Sequence, residues 1–148
     1  MDCDCNCTNC NSNKCLKPEV LDKLIDEAKK VLENAYAPFT KFRVGSAILS
    51  EKGNIYTGCN VEDASFGGTI CAERSAAVSC ISAEGASRFK AIVVASEIED
   101  PAPPCGICRQ FLSQFADSDT PVFMVSTKSE IVKMVTFGNL MPYVFTTF

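Results

Sequence analysis

Apolar side chains recur every three or four positions between residues 18 and 35, with charged side chains between them. A repeat of this period predicts an amphipathic helix that turns one stripe toward a core. Proline is favoured in the first turn of a helix, so the helix should begin at Pro18, and Ala37 followed by Pro38 should end it. The stripe contains no residue suited to chemistry, and we assign this helix to packing alone.

Shorter apolar segments follow, each of the length of a strand. Residues 39–49 read as a loop that enters a strand, and after a polar turn residues 55–59 return as the second strand of a hairpin. Residues 89–95 are a continuous apolar run, which is typical of a central strand buried on both faces. Two further strands are predicted at 121–125 and 131–135.

Helices are predicted again at 71–83 and 105–115, and residues 136–148 should form one helical turn and a short tail. The order α-β-β-α-β-α-β-β favours an α/β fold in which a mixed five-stranded sheet carries helices on its faces. The helices predicted at 71–83 and 105–115 both follow irregular connections from strands. We therefore expect their N-termini to meet at one end of the sheet.

The start of the chain differs in composition from the rest. Five cysteines stand among Asn, Asp and Ser in the first 15 residues, where Met1 is the only other apolar residue: Cys3, Cys5, Cys7, Cys10 and Cys15. We expect a disordered cysteine-rich tail over residues 1–17 and a single domain over residues 18–148. Thiolates select soft ions such as Zn²⁺ and Cu(I), so the tail could collect a metal, but solvated, reactive thiols are the favoured interpretation.

Composition and charge narrow the classes of function. A chain of 148 residues with 47% hydrophobic residues suits one ordinary domain. Its net charge of -4 disfavours a nucleic acid polymer as partner, because such binding rests on Lys and Arg. A small molecule is therefore the natural substrate.

Ten cysteines would suit a disulfide scaffold, but the polar N-terminal segment has no apolar signal sequence, so we expect free thiols in a reducing cytoplasm. No apolar run approaches the roughly 20 residues that span a bilayer, so we expect no membrane partner.

Two short segments carry the candidate chemistry: Cys-Ala-Glu-Arg, which begins at Cys71, and Pro-Cys-Gly-Ile-Cys, which ends at Cys108. Cys105 and Cys108 are spaced so that both sulfurs can face one metal ion from the first turn of a helix, and Cys71 would be the third ligand. Structural zinc sites usually have four protein ligands, whereas catalytic sites leave the fourth position to water. We therefore predict one Zn²⁺ per chain with an open position and Glu73 beside it.

A ligand, one residue and Glu, followed later by Pro-Cys-x-x-Cys, is the signature of zinc deaminases that act on nucleobases. The chain has no histidine, so the site would be the form with three cysteines. By itself, a C-x-x-C motif is as often a redox pair or half of a structural zinc site as it is part of a catalytic zinc site. The joint pattern disfavours both interpretations, although one of the remaining cysteines could supply a fourth ligand.

Glu73 and Arg74 have predicted roles next to the metal. Glu73 would take a proton from water and pass protons to the ring nitrogen and to departing ammonia, because attack and expulsion occur at the same carbon. Three thiolates give the zinc site a net negative charge, which makes its water less acidic unless charge is withdrawn. Arg74, three residues after Cys71, and Arg109, next to Cys108, could each donate hydrogen bonds to sulfur. Arg74 is the stronger candidate, and the alternative for it is an exposed helix arginine.

Five segments of the chain form one larger pattern: Phe42-Arg43-Val44-Gly45, Cys59-Asn60-Val61-Glu62, Cys71-Ala72-Glu73-Arg74, Pro104-Cys105-Gly106-Ile107-Cys108-Arg109-Gln110 and Leu140-Met141-Pro142-Tyr143-Val144-Phe145. In this order and at these intervals they resemble the small homotetrameric cytidine deaminases over residues 18–145. The resemblance implies a three-layer α-β-α fold with a mixed five-stranded sheet. It also implies a homotetrameric zinc hydrolase that converts cytidine and deoxycytidine to uridine and deoxyuridine in pyrimidine salvage.

The same resemblance implies a set of substrate-binding residues. Asn60 and Glu62 would bind the ribose hydroxyls, Phe42 would pack against the pyrimidine, and the backbone of Ala72 would help to hold the base. Phe145 would reach the active site of a neighbouring subunit. Taken alone, Phe42 in an apolar strand is more often a core residue, and Asn60 is an ordinary turn residue. Glu62 near a sugar would repel a 5'-phosphate, which favours a nucleoside over a nucleotide.

The chain departs from the pattern of this family at two positions and in its cysteine-rich tail, which has no counterpart in the family. Phe66 stands where the family often has Tyr, which removes one hydroxyl from an intersubunit contact. Arg43 stands where proline is usual after Phe42, which alters the local turn.

Three other functions stay open from the sequence. One is a zinc deaminase of another amino-substituted heterocycle, such as a blasticidin-type antibiotic. A second is a deaminase of polynucleotides, which the lack of a basic groove disfavours. The third is a non-enzymatic zinc-binding or thiol-binding protein in which the tail is the functional part.

Overall fold

A computed structural model describes residues 16–146 of the chain, and nine helices and strands follow one another in this range. They are α1 (Pro18–Leu32), β1 (Val44–Ser50), β2 (Ile55–Cys59), α2 (Ala72–Glu84), β3 (Phe89–Ser96), α3 (Gly106–Leu112), β4 (Pro121–Ser126), β5 (Val132–Thr136) and α4 (Phe137–Leu140). The predicted order of elements is confirmed from α1 to β5, and α4 lies where one helical turn was expected.

The five strands form one sheet in the order β2-β1-β3-β4-β5. Neighbouring strands are antiparallel except for β3 and β4, which run parallel and are connected through α3. A parallel pair needs a crossover connection of this kind, whereas the antiparallel β1 and β2 need only the short turn between them. The predicted mixed sheet with a central strand at 89–95 is confirmed.

The sheet lies between two helical layers. On one face α1 packs its Leu24 against Ala47 of β1. On the other face α2 and α3 share a second cluster in which Ala76 and Leu112 pack with Ile48 of β1. Every residue of β1 is buried, because successive side chains point to opposite faces and both faces are covered. The predicted three-layer α-β-α fold is therefore confirmed.

Two glycines on the hairpin allow the helices to approach the sheet closely. A Cβ atom on Gly45 would lie 2.1 Å from the carbonyl oxygen of Ala28 in α1. A Cβ atom on Gly58 would lie 2.2 Å from the backbone nitrogen of Ala76 in α2. A side chain at either position would push a helix away from the sheet, so these glycines set the spacing of the layers on both faces.

The predicted end of the first helix is wrong, since α1 stops at Leu32 rather than at the Ala37–Pro38 pair. The backbone beyond it pairs with the loop that precedes α2. Tyr36 N donates to Asn60 O at 3.0 Å, and Glu62 N donates to Tyr36 O at 2.8 Å. A tertiary contact therefore ends the helix before the proline does.

Ile107 in α3 stays exposed although it is apolar. Its side chain is 66% exposed. The helix α3 is short, and the residues that it buries are Cys108 and Leu112. A helix of two turns covers too little of the sheet to bury every apolar side chain that it carries.

Most of the predicted cysteine-rich tail, residues 1–15 with their five thiols, lies outside the described residues. Leu16 packs against the same cluster as α1, so the last part of the predicted tail belongs to the folded region. Between residues 16 and 146 no helix has the length and apolar character that crossing a bilayer requires.

Candidate active site

The two segments predicted to hold the metal meet where α2 and α3 begin. Cys71 is the N-cap residue of α2 and Cys105 that of α3, and both have extended backbone angles that lead the chain from a loop into the helix. Cys108 follows in the first turn of α3. The three Sγ atoms all lie within 4.8 Å of one another, and those of Cys71 and Cys105 are 3.7 Å apart.

This geometry fits a zinc ion. Zinc bound tetrahedrally to thiolates at 2.3 Å places two of its sulfurs about 3.8 Å apart, which agrees with the observed separation of Cys71 and Cys105. Within residues 16–146, the group of side chains that could hold a metal contains these three cysteines and no fourth Cys, Asp or Glu. Among the described residues, three protein ligands without a fourth are the donor set of a catalytic site rather than of a closed structural site.

The cluster favours ionisation of one thiol. A hydrogen bond from Cys108, together with the guanidinium of Arg74, lowers the pKa of Cys71 to about 5 against the opposing effect of burial. The same hydrogen bond and burial raise the pKa of Cys108. Because the thiolate is the form that binds a metal, the lowered pKa of Cys71 favours metal binding by its sulfur.

Of the two arginines considered for the sulfurs, Arg74 is the one that faces them. Its Nη2 atom donates to Thr69 O at 3.3 Å and lies 3.7 Å from Cys71 Sγ. Its Nε atom is buried and has no hydrogen-bond partner among the described residues. Arg109 instead donates to two backbone carbonyls, Pro104 O at 2.7 Å and Leu140 O at 2.9 Å. Arg74 thus brings positive charge to the thiols, while Arg109 ties the ligand segment to the C-terminal region.

Glu73 is the second residue of α2, and its side chain is almost completely buried at 4% exposure. Burial raises the pKa of Glu73 to about 7, and the negative charge of Cys71 acts in the same direction. A carboxyl group with a pKa near neutral can both accept and donate a proton at the pH where most enzymes work. The structure places this group next to the thiol cluster, where the sequence predicted it.

A cavity of about 210 Å³ opens beside the thiols. It brings together Cys71, Cys105 and Glu73 with the four residues predicted to bind substrate within one chain: Phe42, Asn60, Glu62 and Ala72. Cavities for drug-sized ligands usually measure about 300 to 1,000 Å³, so this one suits a small molecule. Phe42 is 36% exposed at its wall, so the interpretation of this residue as core is wrong.

Asn60 and Glu62 shape the wall of the cavity through hydrogen bonds to the segment that carries Phe42. Asn60 Oδ1 accepts from Val44 N at 2.9 Å, and its Nδ2 donates to Phe42 O at 2.8 Å. The side chains of Asn60 and Glu62 are both more than nine-tenths buried. The interpretation of Asn60 as an ordinary turn residue is therefore wrong, since its side chain adds two hydrogen bonds to the backbone bond from Asn60 N to Val44 O at the start of β1.

Glu62 holds the turn before Phe42. Its Oε2 atom accepts from Phe39 N at 2.9 Å and from Thr40 N at 3.2 Å, and its Oε1 atom accepts from the hydroxyl of Thr40. The Thr40 hydroxyl and then these backbone donors lower the pKa of Glu62, so its carboxyl group is ionised at neutral pH. Thr40 also lines the cavity, although the sequence did not predict it as a site residue. A hydroxyl two residues before Phe42 in a loop was its only sequence signal.

Phe145 does not line the cavity of its own chain. Its side chain is 57% exposed, and its carbonyl oxygen accepts a hydrogen bond from Gln110 Nε2 at 2.8 Å. The residue therefore stands apart from the other predicted substrate-binding residues within a single chain.

The two substituted positions, Arg43 and Phe66, lie in the loops that precede β1 and α2. Arg43 donates to the two carboxylate oxygens of Glu97 at 2.9 and 2.6 Å and to Glu33 at 3.1 Å, which joins the ends of α1 and β3 to the start of β1. Phe66 has a left-handed backbone with φ of 55°, and its ring meets that of Phe39 edge-on at 6.1 Å between centroids. Ionic and aromatic contacts thus hold these loops.

Known proteins match most of the chain. The zinc-binding region of the cytidine and deoxycytidylate deaminases matches residues 18–124. Cytidine deaminase from Sporosarcina psychrophila is 42% identical over 125 residues, which are 84% of this chain and 90% of that protein. The crystal structure of cytidine deaminase from Burkholderia pseudomallei superposes with a TM-score of 0.76 at 37% identity, covering 84% of this chain and 98% of that one. The corresponding structure from Mycobacterium tuberculosis has a TM-score of 0.73 at 31% identity and covers 86% and 98%.

The three-layer fold, with three thiols and a buried glutamate gathered at two helix starts, defines a protein of the zinc deaminase class. Zinc is the metal for which this site is built, because the matching family region binds zinc and the sulfur spacing fits it. The chain belongs to the cytidine and deoxycytidylate deaminase family.

Proposed function

We propose that this chain deaminates cytidine and deoxycytidine by hydrolysis, which yields uridine and deoxyuridine, releases ammonia and serves pyrimidine salvage. Family membership supports the proposal, and one observation carries it. The buried carboxyl group of Glu73 lies in the same cavity as two of three convergent thiols. A metal site with three protein ligands and an adjacent proton shuttle are the parts that hydrolytic deamination needs.

Cys71, Cys105 and Cys108 would hold one zinc ion per chain. Bound zinc supplies Lewis acidity, which lowers the pKa of water so that water becomes a nucleophile near neutral pH. Arg74 would offset the charge of the three thiolates, since its guanidinium lies 3.7 Å from the sulfur of Cys71. By withdrawing electron density from that sulfur it would keep the site electrophilic.

Glu73 would carry protons in both halves of the reaction. As the water oxygen bonds to C4 of the pyrimidine, Glu73 accepts one proton and delivers it to N3. It then transfers the second proton of that water to the amino group, the bond between C4 and the amino nitrogen breaks, and ammonia leaves as the C4 carbonyl forms. One carboxyl group can perform both transfers because the bond formed and the bond broken share the same carbon.

The other cavity residues would select a nucleoside. Phe42 would pack against the pyrimidine ring, the Ala72 backbone would hold the base, and Asn60 and Glu62 would bind the ribose hydroxyls. The ionised carboxylate of Glu62 would also repel a 5'-phosphate, which disfavours nucleotides and polynucleotides.

We also propose that the chain assembles as a homotetramer in which Phe145 completes the site of a neighbouring subunit. The exposed side chain of Phe145, outside the cavity of its own chain, supports this arrangement. Light scattering coupled to gel filtration tests it, since a tetramer has four times the 16.0 kDa mass of the chain. A monomeric enzyme with full activity would contradict the shared site.

A purified sample of the full chain tests the proposed function directly. Metal analysis should give one zinc per chain, and loss of ultraviolet absorbance should show turnover of cytidine and deoxycytidine but not of CMP. Activity only on a blasticidin-type antibiotic, or only on an oligonucleotide, would overturn the proposed substrate.

The predicted boundary between the tail and the domain of residues 18–148 can be tested in the same assay. We propose that the domain alone holds the activity and that the protein works in the cytoplasm, where its ligand thiols stay reduced. The five cysteines within residues 16–146 are all free thiols, which supports a reducing compartment. Deletion of residues 1–15 should leave zinc content and deamination intact. Loss of both would favour a zinc-binding or thiol-binding protein in which the tail is the functional part.

A further inference from the structure

The hydroxyl group of Thr40 connects two residues that face the cavity. It donates to Oε1 of Glu62, and it accepts a hydrogen bond from Phe42 N at 3.0 Å. The backbone N–H of Thr40 donates to the other carboxylate oxygen of Glu62 at 3.2 Å. The side chain of Thr40 therefore fixes both the buried carboxylate of Glu62 and the backbone of Phe42, whose ring faces the cavity.

The turn that contains Thr40 needs this support. Lys41 has a left-handed backbone with φ of 60°, a conformation that a residue other than glycine adopts only at a cost in energy. Within the turn, Lys41 N donates to Ala37 O at 3.1 Å. The bonds from Phe39 and Thr40 to Glu62 tie the same turn to the loop before α2. The Thr40 hydroxyl bonds both Phe42 N and Glu62 Oε1, so its removal would break the direct link between these two groups.

The hydrogen bonds also identify which carboxylate oxygen can take a ligand. A carboxylate oxygen has room for about two hydrogen bonds. Oε2 of Glu62 accepts two from backbone N–H groups, whereas Oε1 accepts one, from Thr40, among the described residues. The remaining acceptor position of Glu62 is therefore on Oε1, the atom whose direction Thr40 controls.

We propose that Thr40 is a positioning residue for nucleoside binding, which orients Oε1 of Glu62 toward a sugar hydroxyl and at the same time fixes Phe42 against the base. This inference rests on the proposed function. It goes beyond it because Thr40 touches neither the metal ligands nor the proton shuttle. The Thr40 hydroxyl would strengthen binding of the substrate equally in the ground state and in the transition state. Its loss should therefore change KM and leave kcat unchanged.

Removal of the hydroxyl tests the proposal. In Thr40→Val, which keeps the shape of the side chain, we expect KM for cytidine to rise about tenfold with kcat within about twofold of wild type, since hydrogen bonds to charged groups are stronger than neutral ones. Thr40→Ser restores a hydroxyl and should return KM to within about threefold of wild type. Thr57→Val, a change of the same kind on β2 outside the cavity, should leave both constants unchanged.

The choice of substrate separates orientation of Glu62 from a general disturbance of the turn. 2',3'-Dideoxycytidine keeps its 5'-hydroxyl but lacks both hydroxyls on the sugar ring, which are the groups proposed to donate to Glu62. Its KM should therefore respond to Thr40→Val several times less than that of cytidine. Equal increases in KM for both substrates, an unchanged KM for cytidine, or a lower kcat at constant KM would each overturn the role of Thr40.

If Thr40→Val does not fold, Thr40→Ala is compared with Thr40→Ser in the same way. A wild-type protein without activity on cytidine refutes the proposed function itself, whereas an active wild type with an insensitive Thr40 refutes only this inference.

Discussion

The sulfur of Cys71 lies 3.7 Å from the sulfur of Cys105, although the two residues are 34 positions apart in the chain. Each sulfur stands at the N-cap of a helix, and both helices pack in the same core cluster on one face of the sheet. The positions of the two ligands are therefore set by the packing of α2 and α3 rather than by the loops alone. A site of this kind needs little rearrangement to accept its metal, which reduces the cost of binding.

Loss of one of these sulfurs should remove the metal. For Cys105→Ser we expect zinc affinity to fall by more than the roughly 10- to 100-fold that loss of an outer-shell partner costs, because a ligand itself is removed. Competition with a chromophoric chelator measures the affinity, and metal analysis after gel filtration measures the content. Cys59→Ser removes a thiol that lies outside the cluster and should keep one zinc per chain. Retention of zinc in Cys105→Ser would exclude Cys105 as a ligand.

Neutralising Glu73 should separate chemistry from metal binding. Glu73→Gln keeps the size of the buried side chain but can no longer accept a proton, so kcat should fall by at least about 10³-fold, within the range attributed to general acid and base catalysis. Zinc content should stay at one per chain, because the three sulfurs are unchanged. Glu19→Gln, an exposed change on α1, controls for the loss of one negative charge. A nearly normal rate in Glu73→Gln would leave the shuttle to another group.

Much of the fold could be predicted because its signals are local. The apolar run of β3, the period of α1 and the spacing of Cys105 and Cys108 each depend on residues that are neighbours in the sequence. The end of α1 could not be predicted, because it depends on pairing between Tyr36 and the strand-to-helix loop. The role of Thr40 was hidden for the same reason, since its partner Glu62 lies 22 residues further along.

The spacing between helices and sheet should be sensitive to the two glycines of the hairpin. In Gly58→Ala the new Cβ atom would meet Ala76 N at 2.2 Å, and backbone atoms of α2 cannot move aside as a flexible side chain can. We expect the free energy of unfolding to fall by about 3 kcal/mol, at the upper end of the usual cost of overpacking. Gly45→Ala should behave similarly against α1.

Gly67→Ala is the matched control for both changes. The nearest atom to its new Cβ would be Ser65 O at 3.9 Å, so the free energy of unfolding should change by no more than about 0.5 kcal/mol. Urea denaturation of the zinc-bound proteins measures all three variants. A Gly58→Ala protein as stable as Gly67→Ala would show that α2 is free to shift.

The carboxylate of Glu84 at the end of α2 should make stability depend on pH. Its Oε1 atom accepts hydrogen bonds from Asn54 Nδ2 at 2.7 Å, Ser50 Oγ at 3.0 Å and the hydroxyl of Tyr56 at 3.0 Å. The bond from Asn54, followed by those from the two hydroxyls, outweighs burial and lowers the pKa of Glu84 to about 2 from its ordinary value of 4.5. A group whose pKa falls on folding stabilises the folded state above its unfolded pKa, and this stabilisation is lost as pH falls toward the folded pKa.

Glu84→Gln should therefore unfold more easily than wild type at pH 7, and the difference should narrow as pH falls from 4.5 toward 2. The amide keeps an oxygen that can accept the same three hydrogen bonds, so the variant isolates the effect of the charge. Urea denaturation at pH 7, 5 and 3 measures the difference. Loss of zinc at low pH affects both proteins alike and cancels in the comparison. A difference that stays constant from pH 7 to pH 3 would mean that the charge of Glu84 contributes nothing and that the difference arises from the amide nitrogen that replaces one carboxylate oxygen.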